Sequence, residues 1–127
     1  RDGVCAIALL VDLMARTGKS LKQLVAELLE RVGEMSYMHR DVRLRMEDVD
    51  MLNAVLPGMN PAEICGKEPK SVSHMDGLRL EFDNGSWVLL RPSRIEPVVR
   101  IYAEAPTVAG RDALLEAAAG IARSAGR

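Results

Sequence analysis

Residues 78–91, LRLEFDNGSWVLLR, contain two runs of largely alternating apolar and polar side chains on either side of the turn segment DNGS at 83–86. Alternation with a period of two is typical of a strand that buries one face. Asn-Gly between two such runs is the strongest short-range signal for a β-hairpin, and a two-residue loop would place both residues at positive φ. The stretch therefore predicts two antiparallel strands, over 78–82 and 87–91.

Further strands and helices are predicted on both sides of this hairpin. Residues 37–44 and 98–105 have charged residues between apolar ones and are predicted to be strands. A short helix is predicted over 47–56, before Pro57-Gly58, and a final helix over about 107–122. The order strand, helix, strand, strand, strand, helix predicts an α+β domain, in which helices cover one face of an antiparallel sheet.

Two helices are predicted before the first strand. Asp2 can cap the first, which Gly18 ends. Ser20 can cap the second, with Gln23 at the capping-box position, and Gly33 ends it. These helices precede any strand on which they could pack.

The apolar stripes of the two helices lie over residues 4–15 and 21–32. We expect a boundary between residues 1–34 and residues 35–127, which carry the α+β pattern. The stripes must pack on each other, on the following domain or on another copy of the chain, because large exposed apolar patches usually mark an interface. A dimer through residues 4–32 is therefore one expectation.

Composition excludes several classes of protein. The chain has 127 residues and a formal net charge of −1, which gives no electrostatic reason to bind nucleic acid or an anionic membrane. One Trp, two Tyr and one Phe are too few for a base-stacking platform. The longest apolar run, residues 4–11, is much shorter than the ~18 residues of a membrane span, and no signal peptide is recognisable. We expect a cytoplasmic protein.

Metal-ligating residues show no cluster in the sequence. Cys5 and Cys65 have no CxxC spacing, and we expect both to be buried as small apolar side chains. His39 and His74 each lack a second ligand at helical spacing. No metal site is predicted in this chain.

The segment between the last two strands is rich in anion-binding side chains. It reads RPSRIEP over residues 91–97, and Arg100 follows. The guanidinium fork matches the oxygens of phosphate or carboxylate, and a turn between strands can aim successive N–H groups at an anion. From residue chemistry alone two interpretations stay open: an anion-binding loop, or a solvated turn with ordinary surface arginines.

Residues 82–105, FDNGSWVLLRPSRIEPVVRIYAEA, resemble the C-terminal domain of the α-D-phosphohexomutases, which include phosphoglucomutases, phosphomannomutases and phosphoglucosamine mutases. The phosphate-binding loop of that family reads Arg-Pro-Ser-Gly-Thr-Glu-Pro. Residues 2–3 (DG) and 17–21 (TGKSL), each next to an apolar helix, resemble the end of the family's third domain, and the chain from Ser36 resembles the fourth.

This resemblance implies a TATA-box-binding-protein-like fold in an enzyme that interconverts hexose 1-phosphate and hexose 6-phosphate. The loop would hold the substrate phosphate that is not being transferred. Phosphate contacts are implied for Ser93, for Arg100 and for backbone N–H groups around Arg94 and Ile95. Arg91 and Glu96 would support the loop. The residues implied for this site are Arg91, Ser93, Arg94, Ile95, Glu96 and Arg100.

Two positions depart from the family pattern, because Arg94-Ile95 stands where the family has Gly-Thr. Ile95 cannot supply the Thr hydroxyl, and losing such a charge-assisted hydrogen bond costs about 1.5–3 kcal/mol. If the glycine position needs positive φ, Arg94 adds strain on the order of 1 kcal/mol, although its guanidinium could offset part of the loss. The alternative function is a non-catalytic interaction module that keeps the fold and has lost phosphate binding.

Three parts of the family's machinery are absent from the sequence: the phosphorylated serine, the Asp-rich magnesium loop and the third-domain sugar motif. Phosphoryl transfer depends on such parts. The chain also begins without Met at a helix start, so we expect a fragment of a longer protein. We expect that fragment to have no cofactor and no activity alone, whereas the full-length enzyme would use magnesium and its remaining domains.

Overall fold

A computed structural model describes residues 2–125, and the chain divides between Glu34 and Met35 into two compact units. The first unit contains helix α1 (Gly3–Thr17) and helix α2 (Leu21–Val32). That this unit is the end of another domain of a mutase stays a prediction.

Both helices of the first unit begin at their predicted caps. The Asp2 carboxylate accepts the N–H of Cys5 at 2.9 Å. Ser20 and Gln23 form a capping box, in which each side chain accepts the backbone N–H of the other residue. Gly18 ends α1 at φ 66°, a left-handed conformation that glycine adopts without steric cost.

No residue of α1 or α2 is buried. Their apolar stripes line a groove of about 370 Å³ within the first unit. The large apolar side chains that remain exposed are Val4, Ile7, Leu9, Leu10, Val11, Leu13, Leu21, Val25, Leu28 and Val32. The predicted apolar stripes are therefore present on both helices.

The second unit is an antiparallel sheet with helices. Its strands lie in the order β1-β5-β4-β3-β2, and every neighbouring pair is antiparallel. This architecture confirms the predicted α+β class. In chain order the elements are β1 (Ser36–Arg43), α3 (Met46–Val55), a 3₁₀ turn (Leu56–Gly58), β2 (Ser71–Ser73), β3 (Leu78–Glu81), β4 (Trp87–Pro92), β5 (Val98–Ala105) and α4 (Val108–Ser124).

The predicted strands and helices of this unit are present within two residues of their expected ends, but β2 was not predicted. Its three residues, SVS, contain one apolar side chain, which is too few to show a period of two. β2 is an edge strand that pairs only with β3, with Ser71 opposite Glu81.

The turn between β3 and β4 differs from the expected two-residue loop. Gly85 has φ 80°, whereas Asn84 is not at positive φ. Gly85 N–H donates to the Phe82 carbonyl at 3.1 Å, and Phe82 N–H donates to the Ser86 carbonyl at 2.9 Å. This is a three-residue loop that closes with a glycine bulge, so the hairpin prediction is correct and the predicted turn type is wrong.

The core lies between the sheet and helices α3 and α4, which both contact β4 and β5. Alternate residues of β3, β4 and β5 are buried in it, as the period of two requires, whereas β1 buries only Val42. The fully buried large side chains are Val49, Leu52, Leu78, Leu80, Val88, Leu90, Val99, Ile101 and Leu115. On the opposite face of the sheet, the guanidinium of Arg79 lies 4.8 Å from the ring centroid of Trp87.

The expected burial of the two cysteines is wrong, since both are exposed free thiols. Cys5 lies on α1, which has no buried residue. Cys65 lies in an irregular turn at φ 51°, beside Gly66, and its thiol donates to the Ala113 carbonyl.

Candidate functional site

The loop between β4 and β5 is closed by its own backbone. Ser93 N–H donates to the Val98 carbonyl at 2.9 Å, directly after Pro92 ends β4. Val98 N–H donates to the Glu96 carbonyl at 2.7 Å. Two strands of the sheet therefore hold both ends of the loop.

The hydroxyl of Ser93 organises the centre of the loop. Its oxygen accepts the N–H of Ile95 at 3.3 Å and the N–H of Glu96 at 3.1 Å. Ser93 is one of the few buried polar residues, at 8% exposure. Because the oxygen accepts two hydrogen bonds, the hydroxyl hydrogen is left to donate to a ligand.

Two further hydrogen bonds attach the loop to the helix side of the unit. Asn53 of α3 donates from Nδ2 to the Ser93 carbonyl at 3.1 Å. Leu44, between β1 and α3, donates its N–H to the Pro97 carbonyl at 3.1 Å. The loop is thus tethered at both ends to elements that are distant in sequence.

Positive charge collects at this loop. Arg91 of β4 and Arg100 of β5 are directly opposite each other in the antiparallel pair, so their side chains leave the same face. Arg100 donates to the Glu96 carboxylate. Arg91 and Arg94 form no ion pair within residues 2–125.

A cleft of about 520 Å³ opens beside the loop. Three guanidiniums and one carboxylate, that of Asp76, are among its lining side chains, so the wall carries an excess of positive charge. The lining residues are Asn53, Leu56, Pro57, His74, Met75, Asp76, Gly77, Arg91, Pro92, Ser93, Arg94, Ile95 and Arg100.

The structure brings five of the six predicted site residues to this cleft, and the sixth, Glu96, pairs with Arg100 instead of lining it. Ile95 is 88% exposed, and its N–H is engaged within the loop by Ser93. Arg94 has ordinary backbone, since Cys65 is the only non-glycine residue at positive φ between residues 2 and 125. The strain considered for Arg94 therefore does not arise. Whether these six residues bind a phosphate stays a prediction.

Sequence reasoning missed the opposite wall of the cleft. His74 lines the cleft, with Nε2 2.8 Å from the Met59 carbonyl oxygen. Gly77 lies beside it at φ 128°, and a Cβ there would be 2.1 Å from the Leu90 carbonyl oxygen. The Asp-Gly pair before the strand was a usable turn signal. Nothing local in the sequence singles out Asn53.

Over residues 2–125, no group of three or more His, Cys, Asp or Glu side chains is arranged to hold a metal ion. None of the helices in the described part of the chain has the length and apolar character needed to cross a membrane.

A family model described as "Phosphoglucomutase/phosphomannomutase, C-terminal domain" matches residues 42–121. The match covers more than half of the chain and contains α3, the cleft loop and most of the sheet. The chain therefore belongs to the phosphoglucomutase/phosphomannomutase family, as the resemblance implied.

Several curated proteins are similar to the chain. A probable phosphoglucosamine mutase of Methanococcoides burtonii is 34% identical over 124 residues, which are 98% of this chain and 25% of the relative. A phosphoglucomutase/phosphomannomutase of Thermococcus kodakarensis is 32% identical over 105 residues, 83% of this chain and 21% of the relative. A phosphopentomutase of the same organism is 49% identical over 51 residues, 40% of this chain and 11% of the relative.

The chain thus spans a quarter or less of the length of these relatives. A crystal structure of a phosphoglucomutase/phosphomannomutase family protein from Burkholderia thailandensis aligns with a TM-score of 0.48 at 23% identity, over 76% of this chain and 20% of that one.

Proposed function

We propose that the loop at residues 91–97 binds the non-transferred phosphate of a hexose phosphate, in a mutase that interconverts hexose 1-phosphate and hexose 6-phosphate. The observation that carries this proposal is the pair Arg91 and Arg100, which are opposite each other on neighbouring strands beside the cleft. Arg100 can donate to an anion there, and the neighbouring positive charge of Arg91 adds to the attraction.

Each donor of the loop has a role in this proposal. The Ser93 hydroxyl hydrogen and the backbone N–H of Arg94 donate to phosphate oxygens. The guanidiniums of Arg100 and Arg94 add charge-assisted hydrogen bonds, which are roughly twice as strong as neutral ones. Glu96 keeps Arg100 in place through their ion pair, and Arg91 supports the loop from the end of β4.

The remaining steps of the reaction belong to other parts of the parent protein in this proposal. The family's phosphoserine and its magnesium loop are absent from this sequence, and phosphoryl transfer needs the nucleophile and charge stabilisation that they provide. We therefore propose that the chain alone has no mutase activity and that magnesium binds to another domain of the parent. We expect this parent to act in the cytoplasm.

The identity of the sugar is a separate question, because relatives are named for different sugars, including phosphopentomutase. The proposed contacts are to phosphate alone. The same loop would therefore accept glucose, mannose or glucosamine phosphate, and the other domains would select the sugar.

A titration of the chain with inorganic phosphate and then glucose 1-phosphate, followed by backbone amide NMR, tests the proposal. We expect saturable shifts confined to residues 93–100. Ser93→Ala should weaken binding about tenfold or more, because it removes a hydrogen bond to a charged ligand. Ser71→Ala is the matched control, since Ser71 lies on the edge strand and bonds to Glu81.

An absence of shifts in the wild-type chain at tens of millimolar ligand would refute phosphate binding by this chain. The alternative, an interaction module that has lost phosphate binding, would then be favoured. The observation behind that alternative is Ile95, an apolar side chain that is 88% exposed on the loop. It would predict that Ile95→Asp abolishes partner binding while the fold is retained.

We also propose that the exposed stripes of α1 and α2 are covered in the parent by its remaining domains, and that the isolated chain can dimerise through residues 4–32. The support is the ten exposed large apolar side chains of these helices. Sedimentation of the chain and of a form starting at Met35 tests this: only the longer chain should show concentration-dependent association.

A further inference from the structure

The N–H of Arg94 is the backbone donor of the loop that has no partner within residues 2–125. Every other N–H from residue 93 to residue 98 is used: two donate to Ser93 Oγ, and those of Ser93 and Val98 donate to backbone carbonyls. Pro97 has no N–H. The Arg94 N–H is therefore the one backbone donor left for a phosphate at the loop. Phosphate binding would depend on the direction in which this N–H points.

The peptide group that carries this N–H is the one that Asn53 holds. Asn53 Nδ2 donates to the Ser93 carbonyl at 3.1 Å, and that carbonyl shares its peptide plane with the Arg94 N–H. No peptide bond in the described chain is cis. In a trans, planar peptide the C=O and N–H point in opposite directions. The Ser93 carbonyl points to α3, so the Arg94 N–H points away from α3.

We propose that Asn53 is a positioning residue that sets the direction of the Arg94 N–H for anion binding. This inference rests on the proposed phosphate site. The position of Asn53 on α3 is fixed, because Leu52 and Leu56, on either side of Asn53 in the sequence, are buried in the core. Without the Asn53 amide, the 93–94 peptide can rotate about its flanking bonds and present a carbonyl oxygen where the donor was. A carbonyl oxygen facing a phosphate is repulsive, so affinity would fall although no phosphate contact has been removed.

Two substitutions separate positioning from packing. Asn53→Leu keeps a side chain of similar size and removes the donor. Asn53→Asp keeps the shape and replaces the donor with a carboxylate oxygen, which repels the Ser93 carbonyl and attracts the Arg94 N–H. Asn60→Ala is the matched control, because Asn60 also donates to a backbone carbonyl, that of Gly58, and does not line the cleft.

The probe is inorganic phosphate, titrated into each variant of the whole chain and followed by amide NMR. Asn53→Leu should bind about three- to tenfold more weakly than wild type, the fold-change that one net hydrogen bond represents. Asn53→Asp should bind more weakly still, and Asn60→Ala should match wild type. Unchanged amide shifts of β5 would show that a variant is folded. If Asn53→Leu does not fold, the ligand-free shifts of Ser93 and Arg94 in Asn53→Asp carry the test, because a carboxylate at the cleft repels phosphate by its charge alone.

A second readout needs no ligand. The carbonyl ¹³C shift of Ser93 and the amide ¹⁵N shift of Arg94 should both change in the Asn53 variants and stay constant in Asn60→Ala. Equal phosphate affinity in wild type and Asn53→Leu would overturn the positioning role and leave the proposed function standing. If wild type binds no phosphate, the proposed function fails, and the two ligand-free shifts decide whether Asn53 orients the peptide: constant shifts would overturn that claim too.

Discussion

Arg91 on β4 lies directly opposite Arg100 on β5, so two guanidiniums leave neighbouring positions on one face of the sheet. Like charges directly opposite each other in an antiparallel pair destabilise it. The ion pair with Glu96 compensates the positive charge of Arg100, whereas Arg91 has no ion pair in the described part of the chain. Repulsion between Arg91 and Arg100 therefore lowers the free energy of unfolding of the ligand-free protein. A dianion bound between the two guanidiniums would remove this repulsion.

Replacing Arg91 should separate stability from binding. In phosphate-free buffer, Arg91→Gln should raise the free energy of unfolding by about 0.2–1 kcal/mol, the usual size of a cross-strand pair effect. The same variant should bind phosphate more weakly. Urea unfolding and phosphate titration measure the two effects. Arg43→Gln is the control, because the residue opposite Arg43 is the uncharged Val98. A lower free energy of unfolding in Arg91→Gln would contradict the prediction.

Ile95→Thr should strengthen phosphate binding, because it returns a hydroxyl donor to the loop. We expect roughly a tenfold gain, which corresponds to the lower end of the energy of a hydrogen bond to a charged group. Arg94→Gly should weaken binding by removing a guanidinium, so the double variant should fall between the two single ones. Isothermal titration with phosphate measures all three. Because Ile95 is 88% exposed, the fold should not change, and equal affinities across the set would disprove the assigned roles.

Gly77→Ala should destabilise the sheet beside the cleft. Gly77 has φ 128°, and an added Cβ would lie 2.1 Å from the Leu90 carbonyl oxygen, so the backbone must move. We expect a loss of about 2 kcal/mol or more in the free energy of unfolding. Gly120→Ala, at a helical position with open space, should instead stabilise the protein by about 0.5–1 kcal/mol. Thermal unfolding compares the two, and similar effects would contradict the geometry.

Acid should remove a contribution of Glu116 to stability. Hydrogen bonds from Arg40 at 2.7 Å and Arg123 at 3.2 Å hold the pKa of the Glu116 carboxyl below its ordinary value. A carboxyl whose pKa is lower in the folded state stabilises that state above its unfolded pKa, and this contribution is lost as pH falls through the folded pKa. The difference in unfolding free energy between wild type and Glu116→Gln should be largest at neutral pH.

That difference should begin to close as pH falls towards about 4.3, where unfolded glutamate is half protonated, and it should be lost below the folded pKa. Urea unfolding at several pH values measures it. Glu63→Gln serves as the control, since Glu63 is exposed and makes no ion pair within residues 2–125. A pH-independent difference for Glu116→Gln would refute the assignment.

Local patterns were sufficient for the strands that bury one face, because alternation is a property of neighbouring residues. The strand from Val98 to Ala105 was predicted to the residue for that reason. The type of the β3–β4 turn was predicted wrongly, because it depends on the backbone angles of Asn84, and no pattern of side chains fixes those angles. Asn53 and His74 reach the cleft through the packing of α3 and the path of the chain before β3. These are long-range consequences of the fold that their own sequence neighbourhoods do not encode.

Because no residue of α1 or α2 is buried, a single free energy of unfolding does not describe the whole chain. Amide hydrogens in these helices can exchange with solvent after small local openings, whereas those of β4 and β5 must wait for the whole core to open. Exchange measured by mass spectrometry would therefore separate the chain into a fast and a slow population near residue 34. A melting temperature read from the tryptophan of β4 would describe the slow population alone.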